Sequence, residues 1–299
     1  MSRRGTILFA AMCVIWGIPY LLIKVAVEDL SPSALVFGRT AIGALVLLPI
    51  TLHRGELAPL RAKWKPLVVY TIVELAIPWL LLSTAEKNLP SSLTGLLVAA
   101  VPLASFAIAW RIGERDHLGG RNAFGLVLGL LGVAALVGVD GAGADMRSVL
   151  LVGVVVIGYA TGPMILARSL HDMPGLGVVT ASLSLCALLY AVPAAITRPT
   201  IMPSWQVIAS VVALGLVCTA VAFVIFFELI QEVGPVRSTI ITYVNPAVAV
   251  LLGVVFLDES LSIASFIGFG LILCGSVLAT SGRTSTTEIE SVAPAPTIG

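Results

Sequence analysis

Charge is scarce in this chain. Only 11% of its 299 residues are Asp, Glu, Lys or Arg, where ordinary soluble domains carry about a quarter. That shortage excludes a water-soluble globular domain. The formal net charge of +1 offers no broad basic field, so nucleic acid is not expected as a partner. Cysteine is sparse as well. Cys13, Cys186, Cys218 and Cys274 each lie inside an apolar run, without C-x-x-C spacing, and are expected to be buried core residues rather than disulfides or metal ligands. His53, His117 and His171 are far apart in sequence, so no metal set is expected. No G-x-x-x-x-G-K-[ST] loop is present, and no polar stretch is long enough to build a nucleotide-binding domain. No cofactor, catalytic group or ATP-driven step is therefore expected.

Hydrophobic residues make up 58% of the chain, and its mean hydropathy is +1.06. Crossing a hydrocarbon core of about 30 Å takes about 20 residues of helix. Ten runs of that size are found, at 6–27, 31–52, 66–86, 91–112, 119–139, 147–168, 174–196, 205–230, 237–257 and 263–281. Backbone groups in lipid must bond within their own segment, and the ten-residue alternation of membrane strands is absent, so every span is expected to be helical. Ser2-Arg3-Arg4 before the first run superficially matches a secretory or twin-arginine leader. The run exceeds a typical signal core and no small-x-small site closes it, so it is read as the first span. Residues 283–299, rich in Thr, Ser, Pro and Ala, read as a disordered cytoplasmic tail.

The chain repeats itself. Leu89-Pro90, Pro102, Gly113-Glu114, Gly125 and Gly132 recur as Gly234-Pro235, Pro246, Asp258-Glu259, Gly268 and Gly275, each pair about 145 residues apart. A period of half the chain is too long for a solenoid and suits a duplicated membrane bundle. Residues 1–140 form the first expected repeat and 141–282 the second. Basic residues set the orientation. With the N-terminus inside, Arg3, Arg4, Arg54, Arg61, Lys63, Lys65, Arg111, Arg115, Arg121, Arg168, Arg237 and Arg283 fall on the cytoplasmic side. Only Lys87, Arg147 and Arg198 remain outside. Five spans per half is odd, so the second repeat enters upside down relative to the first. An all-α integral membrane protein follows, with ten transmembrane helices in two inverted five-helix repeats and both termini cytoplasmic.

With these features the chain resembles the drug/metabolite transporter superfamily, EamA type. The likeness is carried by Trp16-Gly17 with Lys24 in helix 1, Arg39 in helix 2, and the blocks Pro102 to Glu114 and Pro246 to Glu259. Gly215 with Thr219-Ala220 and the glycines of helices 5 and 10 extend it over residues 6–281. Two positions depart: Asp258 stands where the family usually has glycine, and helix 7 has no arginine matching Arg39. The resemblance implies a secondary transporter in the cell membrane, working by alternating access and commonly outward, for small metabolites such as amino acids or other amphipathic compounds. Protons are a candidate coupling ion, and monomer and homodimer both stay open. An integral-membrane lipid-processing enzyme is the alternative, followed by a channel or sensor.

Arg39 lies about eight residues into helix 2, roughly 12 Å deep, and Glu74 sits at a similar depth from the opposite face. A charge there costs on the order of 3 kcal/mol, so both should face the bundle interior, either as a structural ion pair or as a binding site. Trp16, Tyr20, Trp79 and Tyr159 are aromatics that can wall a cavity or simply pack. Thr219 and Asn245 can bond a substrate or a neighbouring helix. The expected substrate site is Trp16, Tyr20, Arg39, Glu74, Tyr159, Thr219 and Asn245. Lys24 is expected to snorkel to the surface. Gly125-x-x-x-Gly129 permits close packing within the chain, and prolines in helices 4 and 9 are expected to kink them.

Overall fold

The computed structural model describes residues 2–113, 119–140 and 145–280. Glu114, Arg115, His117 and the tail 283–299 lie outside the described residues. All regular structure among the described residues is helical. Ten helices follow the apolar runs: α1 (Arg3–Ala26), α2 (Pro32–His53), α3 (Pro59–Ala85), α4 (Ser91–Arg111), α5 (Gly120–Gly138), α6 (Met146–Ser169), α7 (Gly175–Ile196), α8 (Trp205–Val233), α9 (Ile241–Leu257) and α10 (Ile263–Thr280). Nine are long and apolar enough to span a bilayer by themselves; α9, with 17 residues, is preceded by a separate turn, Pro235–Ser238. That turn moves the start of α9 past the expected 237, because Gly234, at φ +84, breaks the chain there. The start of α3 moves the other way, to Pro59, since a tight helical turn through Pro59–Lys63 precedes the apolar run.

Caps explain several starts. Ser31 and Ser204 accept hydrogen bonds from the backbone of Ala34 and Val207, and each ends a polar link. The ends of α4 and α9 match across the repeat: Gly113 has φ +78 and Asp258 has φ +52. Asp258 is the only non-glycine with positive φ among the described residues, and a short polar side chain tolerates the left-handed turn that glycine serves in the other copy.

Packing obeys the same symmetry. Close neighbours include α5 with α10, α2 with α7, α4 with α9, α3 with α6 and α1 with α8. Exchanging the halves maps the first three pairs onto themselves and turns α3–α6 into α8–α1, the relation that inverted repeats require. Glycines set the tightest approach. A Cβ on Gly125 would stand 2.8 Å from the Gly275 carbonyl, and one on Gly132 would stand 2.6 Å from the Gly268 carbonyl. The Gly125-x-x-x-Gly129 face is therefore filled by α10 of the same chain. Gly275→Ala would push a methyl onto the Gly129 backbone, which cannot swing aside. It is expected to lower stability by about 1 to 3 kcal/mol, read as earlier thermal unfolding in lipid, while Gly270→Ala, in open space, leaves the transition unchanged.

One sequence expectation changes. Cys13, Cys186 and Cys218 are buried, but Cys274 is exposed on α10. Lipid-facing and core positions have the same hydropathy, so an apolar run does not reveal which way a residue points. Helix α4 is interrupted at Ala99 and Ala100, just before Pro102, whereas α9 runs unbroken through Pro246. A single proline removes one backbone donor, and the buried Pro246 stretch, packed on α4, tolerates that loss.

Candidate functional site

Helices α3 and α8 each widen by one residue at matching places. Thr71–Ala76 and Leu216–Val221 are π-helical turns, about 145 residues apart, and they present Glu74 and Thr219 at equivalent positions. The first has a visible cause: Pro78 has no N–H to give the Glu74 carbonyl four residues earlier. In the second, the Thr219 hydroxyl donates to the Leu214 carbonyl at 2.8 Å, taking up a bond that the widened ladder leaves open.

Arg39, on α2, is 8% exposed and bridges the halves. Its Nε donates to Thr219 Oγ1 at 2.9 Å, and its guanidinium lies over the Trp79 ring, 3.7 Å from the centroid. These contacts hold one edge and one face of the cation. No hydrogen bond or ion pair uses its terminal nitrogens among the described residues. The approach of α2 to α8 is set by Gly215, where a Cβ would meet Ile42 and the Arg39 carbonyl at 2.6 and 3.0 Å.

Glu74 does not pair with Arg39. The ion pairs recorded among the described residues are Arg4–Glu228, Arg54–Glu56 and Lys63–Asp172, all partly exposed. Glu74 instead packs against Gly162 of α6, where any side chain would collide with its carboxylate. Its Oε2 is buried there without a hydrogen-bond partner. The interior thus holds an arginine and a glutamate, each short of a charged partner.

Tyr20 and Tyr159 lie close enough to Arg39 to interact with it electrostatically, and Tyr159 also neighbours Glu74. Tyr159 packs against the core around Trp79 and Leu183 as well as the one around Tyr20 and Leu214, so it stands where the two meet. Trp16 and Asn245 make other contacts. The Trp16 ring packs on Phe223 and Phe226 of α8, with centroids 5.8 and 4.8 Å away. Asn245, with its amide nitrogen turned toward the carbonyls, donates to Ile241 and Cys13, at 3.0 and 3.1 Å. The Cys13 carbonyl is open because α1 breaks between Ile15 and Pro19, where Gly17 bonds back to Val14 instead. Asn245 thereby ties the α1 break to α9.

Lys24 reaches the α3–α4 link and is bound there. Its ammonium donates to the carbonyls of Glu86 and Leu89 at 2.7 and 2.9 Å, closing the link between α3 and α4. Trp79 was one of four equivalent aromatics in the sequence, and only the stacking on Arg39 singles it out. Gly162 carried a weak signal: it is the repeat mate of Gly17, in the helix that opens the second half.

The model of the EamA-like transporter family matches this chain twice, over residues 3–138 and 146–281. The chain belongs to that family. The inner membrane transporter YedA of Escherichia coli K12, described as uncharacterized, is 28% identical over 279 residues, covering 91% of this chain and 89% of the relative. The transporter YvbV of Bacillus subtilis, described likewise, is 23% identical over 276 residues, covering 91% and 90%. A solved crystal structure superposes with a TM-score of 0.66 at 25% identity, covering 92% of this chain and 96% of its own. Family, helices and relatives agree on a multi-pass membrane transporter of small molecules.

Proposed function

We propose that this EamA-like protein is a secondary exporter of small zwitterionic metabolites, amino acids or close analogues, by alternating access between its two halves. The observation that carries the substrate class is the pair of uncompensated interior charges: Arg39 with its terminal donors unspent, and Glu74 with an unpartnered carboxylate oxygen. Arg39 would hold the substrate carboxylate through its planar fork, and Glu74 its ammonium. Tyr20, Tyr159 and Trp79 supply the apolar wall, and Thr219 fixes the arginine. Trp16 and Asn245 act on the site from a distance, through the α1 break. The repeat-matched π turns lie on both sides of the site, where a change of helix register alters access.

Purified protein in liposomes, without ATP, should exchange labelled amino acids down their gradient. Product formation without solute movement would favour a lipid-processing enzyme, and flux faster than carrier turnover would favour a channel.

Orientation is part of the same reading. Arg4, Arg54 and Lys63 lie at one end of the bundle, where Arg4 meets Glu228 of α8 and Lys63 meets Asp172 of the α6–α7 link. This end is assigned to the cytoplasm, with both termini. In a background lacking native cysteines, a cysteine at Arg237 should label only from inside and one at Asp258 only from outside. The reverse pattern would overturn the assignment.

A further inference from the structure

Glu86 follows the last residue of α3 and has no role in the substrate site described above, although Arg39, Tyr20 and Tyr159 of that site feel its charge. It is 0% exposed, and neither carboxylate oxygen has a hydrogen-bond partner. Structural glutamates are not buried in this way: an isolated carboxylate removed from water costs several kcal/mol, and proteins normally pair it or place it at the surface. Directly beside it is an open pocket of about 280 Å³, lined by Lys24, Val27, Glu28, Glu86 and Lys87. The nearest cation, Lys24, is committed to the backbone carbonyls of Glu86 and Leu89 rather than to the carboxylate.

We propose that the Glu86 carboxyl is a proton-binding site, filled from this pocket, that works a latch with Lys24 at the α3–α4 link. The surroundings favour the neutral acid. Burial pushes the group well above the usual carboxylate range; Lys24 and, more weakly, Arg39 oppose this, and Glu259 adds to it. Glu259 is itself fixed, accepting from the backbone of Ser91 and Ser92 at the start of α4 at 2.7 and 2.8 Å. Tyr20 and Tyr159 are the remaining titratable groups that feel Glu86, and Glu28 and Lys87 edge the pocket. With the proton on, Lys24 is free to cap the two carbonyls and hold α1 against the α3–α4 link. When the buried side chain turns into the pocket and the proton leaves to water there, the charged carboxylate draws the ammonium off those carbonyls, and the link is released. In the orientation proposed above, this is the outer mouth. The assignment rests on the transport reading only for what the latch controls; proton binding itself is independent of it.

Infrared difference spectra of the purified protein in phosphatidylcholine vesicles, recorded across a pH series, should show a carboxylic C=O band that vanishes as pH rises and shifts in heavy water. The band should be lost in Glu86→Gln and kept in Glu74→Gln. Lys24→Met, which leaves the carboxyl in place, should move its midpoint upward by about 1 to 3 units through loss of the nearby cation. A spin label at Asn88 should gain mobility through the same midpoint, and stay unresponsive to pH in Glu86→Gln. A band that survives Glu86→Gln, or a midpoint that ignores Lys24→Met, overturns the proton site. A midpoint that moves with sodium at fixed pH assigns the site to a metal cation instead and also overturns it. A label that never responds removes the latch. None of these readouts needs transport, so an intact titration in a protein that moves no amino acid would refute the transport reading alone.

Discussion

Arg39→Ala is expected to reduce amino-acid exchange by roughly 10- to 150-fold per folded molecule, the range for losing a hydrogen bond to a charged group, about 1.5 to 3 kcal/mol. The guanidinium is aimed by two neighbours, Thr219 at 2.9 Å and the Trp79 ring at 3.7 Å, so the donors left over are presented in a fixed plane. Arg39→Lys keeps the charge and loses the fork and the stacking, and should recover only a fraction of the flux. Uptake into liposomes, normalised to the folded fraction, reads this directly. Should folded yield fall while flux per folded molecule holds, Arg39 is a tie between α2, α3 and α8, and the site assignment fails.

Glu74→Gln should separate substrates by their amine. The carboxylate meets no cation among the described residues, and one oxygen is sealed against Gly162. Removing its charge takes away a charge-assisted contact to an ammonium but nothing from a carboxylate held at Arg39. The expected result is a KM for zwitterionic amino acids raised about 10- to 100-fold, with the deaminated acids changed less than about threefold. Equal losses for both would place Glu74 in the packing of α3 on α6. If binding persists while the response to a pH gradient disappears, the coupling proton belongs to Glu74.

Ten helices and their doubling were legible because they depend on local chemistry. An apolar run of sufficient length has one regular solution in lipid, and a repeated order of Pro, Gly and acidic landmarks survives without any contact being known. The matched φ values of Gly113 and Asp258 follow from the same order, even where glycine is replaced. Single residues were harder to place. Trp16 and Arg39 are family landmarks in adjacent helices, yet one packs on Phe226 and the other on Trp79. Asn245 could equally bond a substrate or a neighbouring helix, and its turned amide donates to the carbonyls of Ile241 and of Cys13 at the α1 break.

By itself, the sequence determined the helical class, the apolar spans, the inverted halves and the presence of Arg39 and Glu74 within those spans. Each is a property of one segment or of the order of segments. Tertiary structure alone decided that these two charges stay apart, that Trp79 backs the arginine, that Cys274 faces outward, and that Glu86 is buried beside a lysine committed to carbonyls. The reason is rotational. In a chain where lipid and core are equally apolar, hydropathy fixes how deep a residue lies but not which way it points around the helix axis, and that angle is set only when glycines, prolines and π turns bring particular helices together.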